Sequence, residues 1–242
     1  MPPFYTFSPK TTSISFQWPA ELTGLERVAL SAQGDLQRVL SAFFARPIVI
    51  ALIYSHTFTR RSETENTLIP LPLPNPAAIA SASPESPIVQ NRQVHLQCGG
   101  KLVCTATSTV KLLSSDAAHL FLEEKYAIGQ LFAKMGVTPS FELLDVGIGG
   151  HDDAMSVEKG FGSGPNLWRK YRLFVREVEC EILEVFASRD MFVQGQAWLD
   201  EHSSTTVSPY YRKLSTNTLL WLAVLSLLIF ELYTTVLRPT RC

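Results

Sequence analysis

Arg92 and Glu184 each occupy a place where a strand would turn its side chain inward. In residues 91–98, Arg92 is in phase with Val94, Leu96 and Cys98, and Gln93, His95 and Gln97 take the other phase. In residues 178–186, Glu184 shares its phase with Val178, Cys180, Ile182 and Phe186. Strand side chains alternate faces, so both charges point toward an apolar interior. A lone charge loses several kcal/mol on leaving water, so each needs a partner or a ligand. An inward Arg and an inward Glu in a small barrel-like sheet point to a pocket for a polar, anionic small molecule. A structural ion pair between the two is the competing reading, and either could also sit at a strand end with its head in water.

Other chemistry-bearing residues lack a matching context. His119 falls on a helical stretch and reads as a surface or packing residue. His151, Asp152 and Asp153 are consecutive loop positions, which are usually just solvated, so no metal is expected. Gly160, Gly162 and Gly164 do not stand between a strand and a helix, which a phosphate loop requires. Ser163 and Ser188 have no nucleophile setting, and Glu123, Glu124 and Lys125 read as an exposed helix face.

The elements that would carry Arg92 and Glu184 are legible around them. Residues 1–22 read as a loose polar leader. Residues 25–44 read as helix, broken near Gly34 and Asp35, with Leu25, Val28, Leu30, Leu36, Val39 and Leu40 on the apolar face. Residues 47–53 are β-branched and apolar and read as a buried strand. The proline-rich run 59–87 reads as a long loop. Residues 91–98 and 101–110 flank Gly99-Gly100, a hairpin signal. Residues 115–135 read as one helix stopped by Gly136, with Ser114 or Ser115 as cap. A strand over 142–148, a Gly-rich loop over 149–166 and a hairpin of 167–175 with 178–186 complete the domain. Hairpin-joined strands imply an α+β fold, an antiparallel sheet with helices on one face.

Composition limits the classes. The chain has 242 residues, 46% hydrophobic and 18% charged, with a formal net charge of −1. Its Lys and Arg are scattered, so no nucleic-acid footprint is present. Cys98, Cys104, Cys180 and Cys242 match no zinc spacing and read as free thiols of a reducing compartment. Residues 218–237, TLLWLAVLSLLIFELYTTVL, would span about 30 Å as a helix, the thickness of a bilayer core. Arg212, Lys213, Arg238 and Arg241 flank the segment, and Tyr210, Tyr211 and Trp221 sit near one end. Glu231 is its one charged residue. A packed C-terminal helix is the alternative to a tail anchor with the domain facing the cytosol. The expected plan is a leader over 1–22, a domain over 23–192, a connector over 193–215 and a transmembrane helix over 216–237.

Several strings resemble the chorismate lyase family in order and spacing. They are NRQVHLQCGG at 91–100, YAIGQLF at 126–132, FELLDVG at 141–147, LWRKYRL at 167–173 and ILEVF at 182–186, with DLQR at 35–38 upstream. The resemblance spans residues 25–189. It implies that Arg92 holds a ring carboxylate and that a backbone N–H near Ile128 and Gly129 donates to the same group. It further implies that Leu36 lines the pocket and that Glu184 meets the ring hydroxyl. The implied reaction releases pyruvate from chorismate to leave 4-hydroxybenzoate without metal or cofactor, with Arg92 and Glu184 as catalytic residues. The chain departs from the pattern at Thr107, where many members carry Arg, at Ala127, where Pro is usual, and in both long loops. Those changes leave three readings: a membrane-tethered lyase; a cyclase, dehydratase or isomerase of the same fold in a specialised pathway; and a non-catalytic ligand-binding accessory protein.

Overall fold

The computed structural model describes residues 5–7, 12–60, 67–149 and 165–201. Chain contacts divide into two units, Met1–Leu199 and Asp200–Cys242; only Asp200 and Glu201 of the second are described.

β1 (Tyr5–Phe7) and β2 (Thr12–Ile14) pair as a small antiparallel ribbon. α1 (Gly24–Leu30) begins at a capping box: Thr23 Oγ1 accepts from the Glu26 N–H at 3.3 Å, and the Glu26 carboxylate accepts from the Thr23 N–H at 2.7 Å. α2 (Leu36–Phe44) follows after Gly34, which stands at φ +81°. A Cβ there would lie 3.0 Å from Leu173 Cδ1, so the turn needs glycine twice over, for conformation and for space. The chain then enters β3 (Ile48–Arg60), β4 (Leu68–Pro70), α3 (Pro76–Ala80) and the hairpin of β5 (Ile88–Cys98) and β6 (Lys101–Leu112). Gly99 and Gly100 both have positive φ, 58° and 83°, the backbone that a tight two-residue hairpin requires.

α4 (Ser115–Ala118) is capped by Ser114, whose side chain accepts from the Ala117 N–H, and runs into a π-helical turn over His119–Glu123. The helix breaks at residues 124–127 before α5 (Ile128–Lys134). β7 (Ser140–Ile148), β8 (Leu167–Phe174) and β9 (Val178–Phe186) form a meander, and α6 (Asp190–Gln194) and α7 (Gln196–Glu201) end the described chain.

The seven strands β3 to β9 form one antiparallel sheet in the order β4-β3-β5-β6-β9-β8-β7. The fold is α+β. Its main core joins inward residues of the sheet, such as Leu96, Val110, Cys180 and Leu173, to Leu30, Leu40, Phe44, Phe121 and Leu131 of the helices. The opposite face buries a small cluster of strand residues, Trp168, Leu183 and Val185. The helices therefore pack against one face, as the alternation of the strands requires.

Five expectations need correction. The leader is not loose throughout: Phe16 and Trp18 pack on the core and Leu22 is buried. The strand expected over 47–53 runs thirteen residues to Arg60 and is not buried, since Val49, Leu52 and Ile53 are 59%, 58% and 48% exposed. An apolar β-branched run marks a strand, but it does not say which faces are covered. The proline-rich loop contains β4 and α3, the latter capped by Asn75 with Pro76 in its first turn. The single helix expected over 115–135 is α4 continued by a π turn, then a break at 124–127 with Lys125 in the left-handed region at φ 59°, then α5. The first part of the connector, up to Leu199, belongs to the domain, because Trp198 and Leu199 are buried in the main core and the Lys101 ammonium lies 3.3 Å from the centre of the Trp198 ring.

The loop residues 150–164, with His151, Asp152, Asp153 and the three glycines, lie outside the described residues, as do residues 218–237 and Cys242. Among the described residues no helix is long and apolar enough to cross a membrane.

Candidate functional site

The inner face of the sheet is organised in rows of register partners. One row runs Ser55, Arg92, Ser108, Ile182, Tyr171 across β3, β5, β6, β9 and β8. The next runs Leu52, Val94, Ala106, Glu184, Arg169. A cavity of about 1140 Å³ opens between these rows and the helical layer. Leu36, Arg92, Ile128, Gly129 and Glu184, the five residues named from sequence, all line it.

Arg92 is half-buried, with its guanidinium carbon 5.4 Å from the centre of the Phe121 ring. Among the described residues it makes no hydrogen bond or ion pair. Burial pulls its guanidinium below the ordinary Arg range, and the nearby Cys180 works the other way without outweighing it. A cation that has lost part of its water and gained only an aromatic face is poised to take an anion, and its planar fork suits a carboxylate.

Glu184 has a different setting from the one expected. It does not pair with Arg92, which lies two strands away and one row over. Its Oε2 accepts from Arg169 Nε at 2.6 Å, and its Oε1 accepts from the Tyr171 hydroxyl at 2.9 Å. Arg169 is fully buried and donates its Nη1 to the carbonyls of Leu30 and Ala32 at 2.8 and 2.6 Å, which ties β8 to the end of α1. Its Nη2 has no partner among the described residues. The guanidinium carbon sits 4.5 Å from the centre of the Tyr171 ring. Burial, and then the Glu184 charge, push the Tyr171 phenol well above its ordinary range, so its hydroxyl stays protonated and donates.

Arg169 and Tyr171 were missed from sequence, although the signal was present. Leu167, Arg169, Tyr171 and Leu173 share one phase of a strand, the same argument that singled out Arg92. Glu184 is 5% exposed and reaches the cavity with the oxygen lone pairs that these two residues leave open.

The remaining residues are placed by helix ends. Leu36 opens α2 and is buried at 2% exposure against the cavity. Ile128 and Gly129 are the first two residues of α5, where backbone N–H groups have no intrahelical acceptor. Ala127 precedes them without a side chain that could cap those groups, and both residues line the cavity. Thr107 lies on the outer face, where its hydroxyl accepts from Gln93 Nε2 at 3.1 Å; the inward position beside it is Ser108, which lines the cavity. His119 is a surface residue, with Nδ1 2.5 Å from Glu123 and Nε2 3.3 Å from Glu124. Cys98, Cys104 and Cys180 are buried free thiols.

A family model described as chorismate pyruvate-lyase Rv2949c-like matches residues 30–192. No curated protein matches the chain. Among solved structures, a possible transcriptional regulator YydK from Bacillus subtilis subsp. subtilis str. 168 is 12% identical over 77% of this chain and 73% of that one, with a TM-score of 0.36. That likeness is too distant to carry an argument.

Proposed function

We propose, for a chain that belongs to the Rv2949c-like chorismate pyruvate-lyase family, that the cavity binds a carboxylated ring compound and eliminates pyruvate from it. Chorismate or a related enolpyruvyl ether is the substrate. The observation that carries this reading is Arg92: a half-buried guanidinium facing the cavity with no ionic partner among the described residues. It takes the ring carboxylate, and the first N–H groups of α5 at Ile128 and Gly129 add donors to the same group. Glu184, fixed by Arg169 and Tyr171, accepts from the ring hydroxyl. Leu36 supplies an apolar wall.

In the elimination, the ring carbon–oxygen bond to the enolpyruvyl group breaks and the adjacent hydroxyl-bearing carbon loses its proton. The departing enolpyruvate takes up a proton and leaves as pyruvate, and the ring becomes 4-hydroxybenzoate. Aromatisation drives the step, so the site contributes orientation and a dry environment more than strong acid–base power. Incubating the protein with chorismate and assaying both products tests the reaction. Equal release of pyruvate and 4-hydroxybenzoate supports it. A protein that retains a ring carboxylate without releasing pyruvate is instead the binder or the repurposed cyclase, dehydratase or isomerase.

Membrane attachment through residues 218–237, with the domain facing the cytosol, is part of the same proposal. It rests on the length and apolar character of that segment and its cationic flanks. Carbonate extraction of membranes tests it: recovery of the full chain in the soluble fraction removes the anchor.

A further inference from the structure

The cavity is larger than a single carboxylated ring needs, and the surplus is apolar. Sites for drug-sized molecules run about 300–1,000 Å³. This one holds about 1140 Å³, and a lone ring acid is well below drug size. On the sheet side, Arg92, Ser108 and Glu184 of β5, β6 and β9 can meet charge or hydroxyls, and Glu123, Lys125 and Gln130 add polar groups from the helical side. From Glu184 the cavity floor continues through Ala106 and Val94 to Leu52, each the register partner of the next. That path crosses three strand spacings, ~14 Å, and a single ring covers roughly two of them. At its far end the lining comes from Ile50, Leu52, Leu73 and Pro74, with Ser55 as the polar member. Ile50, Leu52 and Leu73 remain 37%, 58% and 40% exposed. They face the cavity, are continuous with its charged end and carry no charge of their own. An apolar surface continuous with a carboxylate site is what an apolar substituent on the same ligand would cover.

We infer that the ligand is a carboxylated ring bearing an apolar chain or second apolar ring, with its carboxylate at Arg92 and its apolar part along the β3 wall. This rests on the assignment of Arg92 to the ring carboxylate. It enlarges the substrate class from chorismate-sized acids to aryl or cyclohexadienyl acids with a hydrocarbon arm.

The test is calorimetric titration of the full chain with benzoate and with 2-, 3- and 4-hexylbenzoate. Burying a methylene completely tightens binding about fourfold. Against a half-open wall, the six-carbon chain gives roughly a ten- to hundredfold gain for the best isomer. In the double variant Ile50→Thr, Leu52→Thr, whose replacements keep β-branched or strand-compatible shape at exposed positions, that gain falls below about fivefold. If benzoate binds through Arg92 but no hexyl isomer binds more tightly, the apolar arm is wrong and the carboxylate site stands. If 4-hexylphenol binds as tightly as the best acid and Arg92→Gln changes neither, the carboxylate assignment fails and this inference fails with it. Hexyl acids that bind only with Arg92 present support both, even where benzoate itself is too weak to register.

Discussion

Arg92 and Arg169 are both inward-facing arginines of one sheet, but they have different partners, and a stability measurement separates them. Arg169 is fully buried and offsets Glu184, itself 5% exposed, while also holding two carbonyls of the helical layer. Arg169→Met strands that carboxylate and loses both carbonyl contacts. Breaking such a buried pair costs about 3–5 kcal/mol. A domain of this size moves about 2–4 °C in melting temperature per kcal/mol, so the variant melts ~6–20 °C below the parent. Among the described residues Arg92 has only the Phe121 ring, a contact worth about 0.5–1 kcal/mol, and its removal also relieves the desolvation cost of a partly buried cation. Arg92→Gln therefore melts within about 4 °C of the parent. The double variant Arg169→Met, Glu184→Leu removes both charges and loses less than the sum of the two single variants. Differential scanning calorimetry of the four variants reads this directly. An Arg92→Gln loss as large as that of Arg169→Met refutes the reasoning, because Arg92 would then be the structural cation.

Three further expectations follow from particular contacts. Tyr171→Phe removes the hydroxyl that donates to Glu184 and lowers stability by about 1–3 kcal/mol, read in a urea titration; an unchanged midpoint would mean that the hydroxyl is not satisfying the carboxylate. Burial raises the Glu26 pKa, but the Arg189 guanidinium and the Thr23 hydrogen bonds outweigh it, so the folded value lies below the ordinary carboxylate range. Its stabilising contribution is thus complete above about pH 4.5 and lost as pH falls through the folded value; Glu26→Gln flattens that part of the stability–pH curve, and a curve of the same steepness counts against the pairing. Burial pushes the Cys180 thiol up to about 12, against the opposing pull of Arg92, so iodoacetamide at pH 8 leaves Cys180 unlabelled until the chain is unfolded. Rapid labelling of Cys180 in the native protein would show that the β9 interior is open.

The strands were legible because alternation and the Gly99-Gly100 turn are local signals, and local signals survive folding. The same alternation turned Arg92 and Glu184 inward, as the structure has them. Their separation was not legible, because which strand lies beside which depends on the return of β9 to β6 after two helices and two strands. With that order unknown, Arg92 and Glu184 could be paired on paper; with it known, Arg169 is directly opposite Glu184 and Arg92 is opposite Ser108. The exposure of β3 was hidden for a related reason: Ile48–Arg60 is β-rich and apolar, and only the helical layer's position decides how much of it is covered. The break at 124–127 was masked by helix-forming residues such as Glu123, Glu124 and Lys125, whose propensity yields to a π turn and a left-handed Lys125. Trp198 reads as linker in sequence because the core and Lys101 that it packs against are far from it along the chain.

The central claim is that Arg92 is the anchor for a ligand carboxylate in the cavity, and the most direct measurement is a calorimetric titration of 4-hydroxybenzoate into the full chain and into Arg92→Gln. Removing one side of a partly buried, hydrogen-bonded charge pair costs about 2–5 kcal/mol, at least a ~30-fold loss of affinity. The account predicts one binding site in the parent, a loss of that size in Arg92→Gln and a melting temperature that the substitution leaves nearly unchanged. Equal affinity in the two proteins would contradict it.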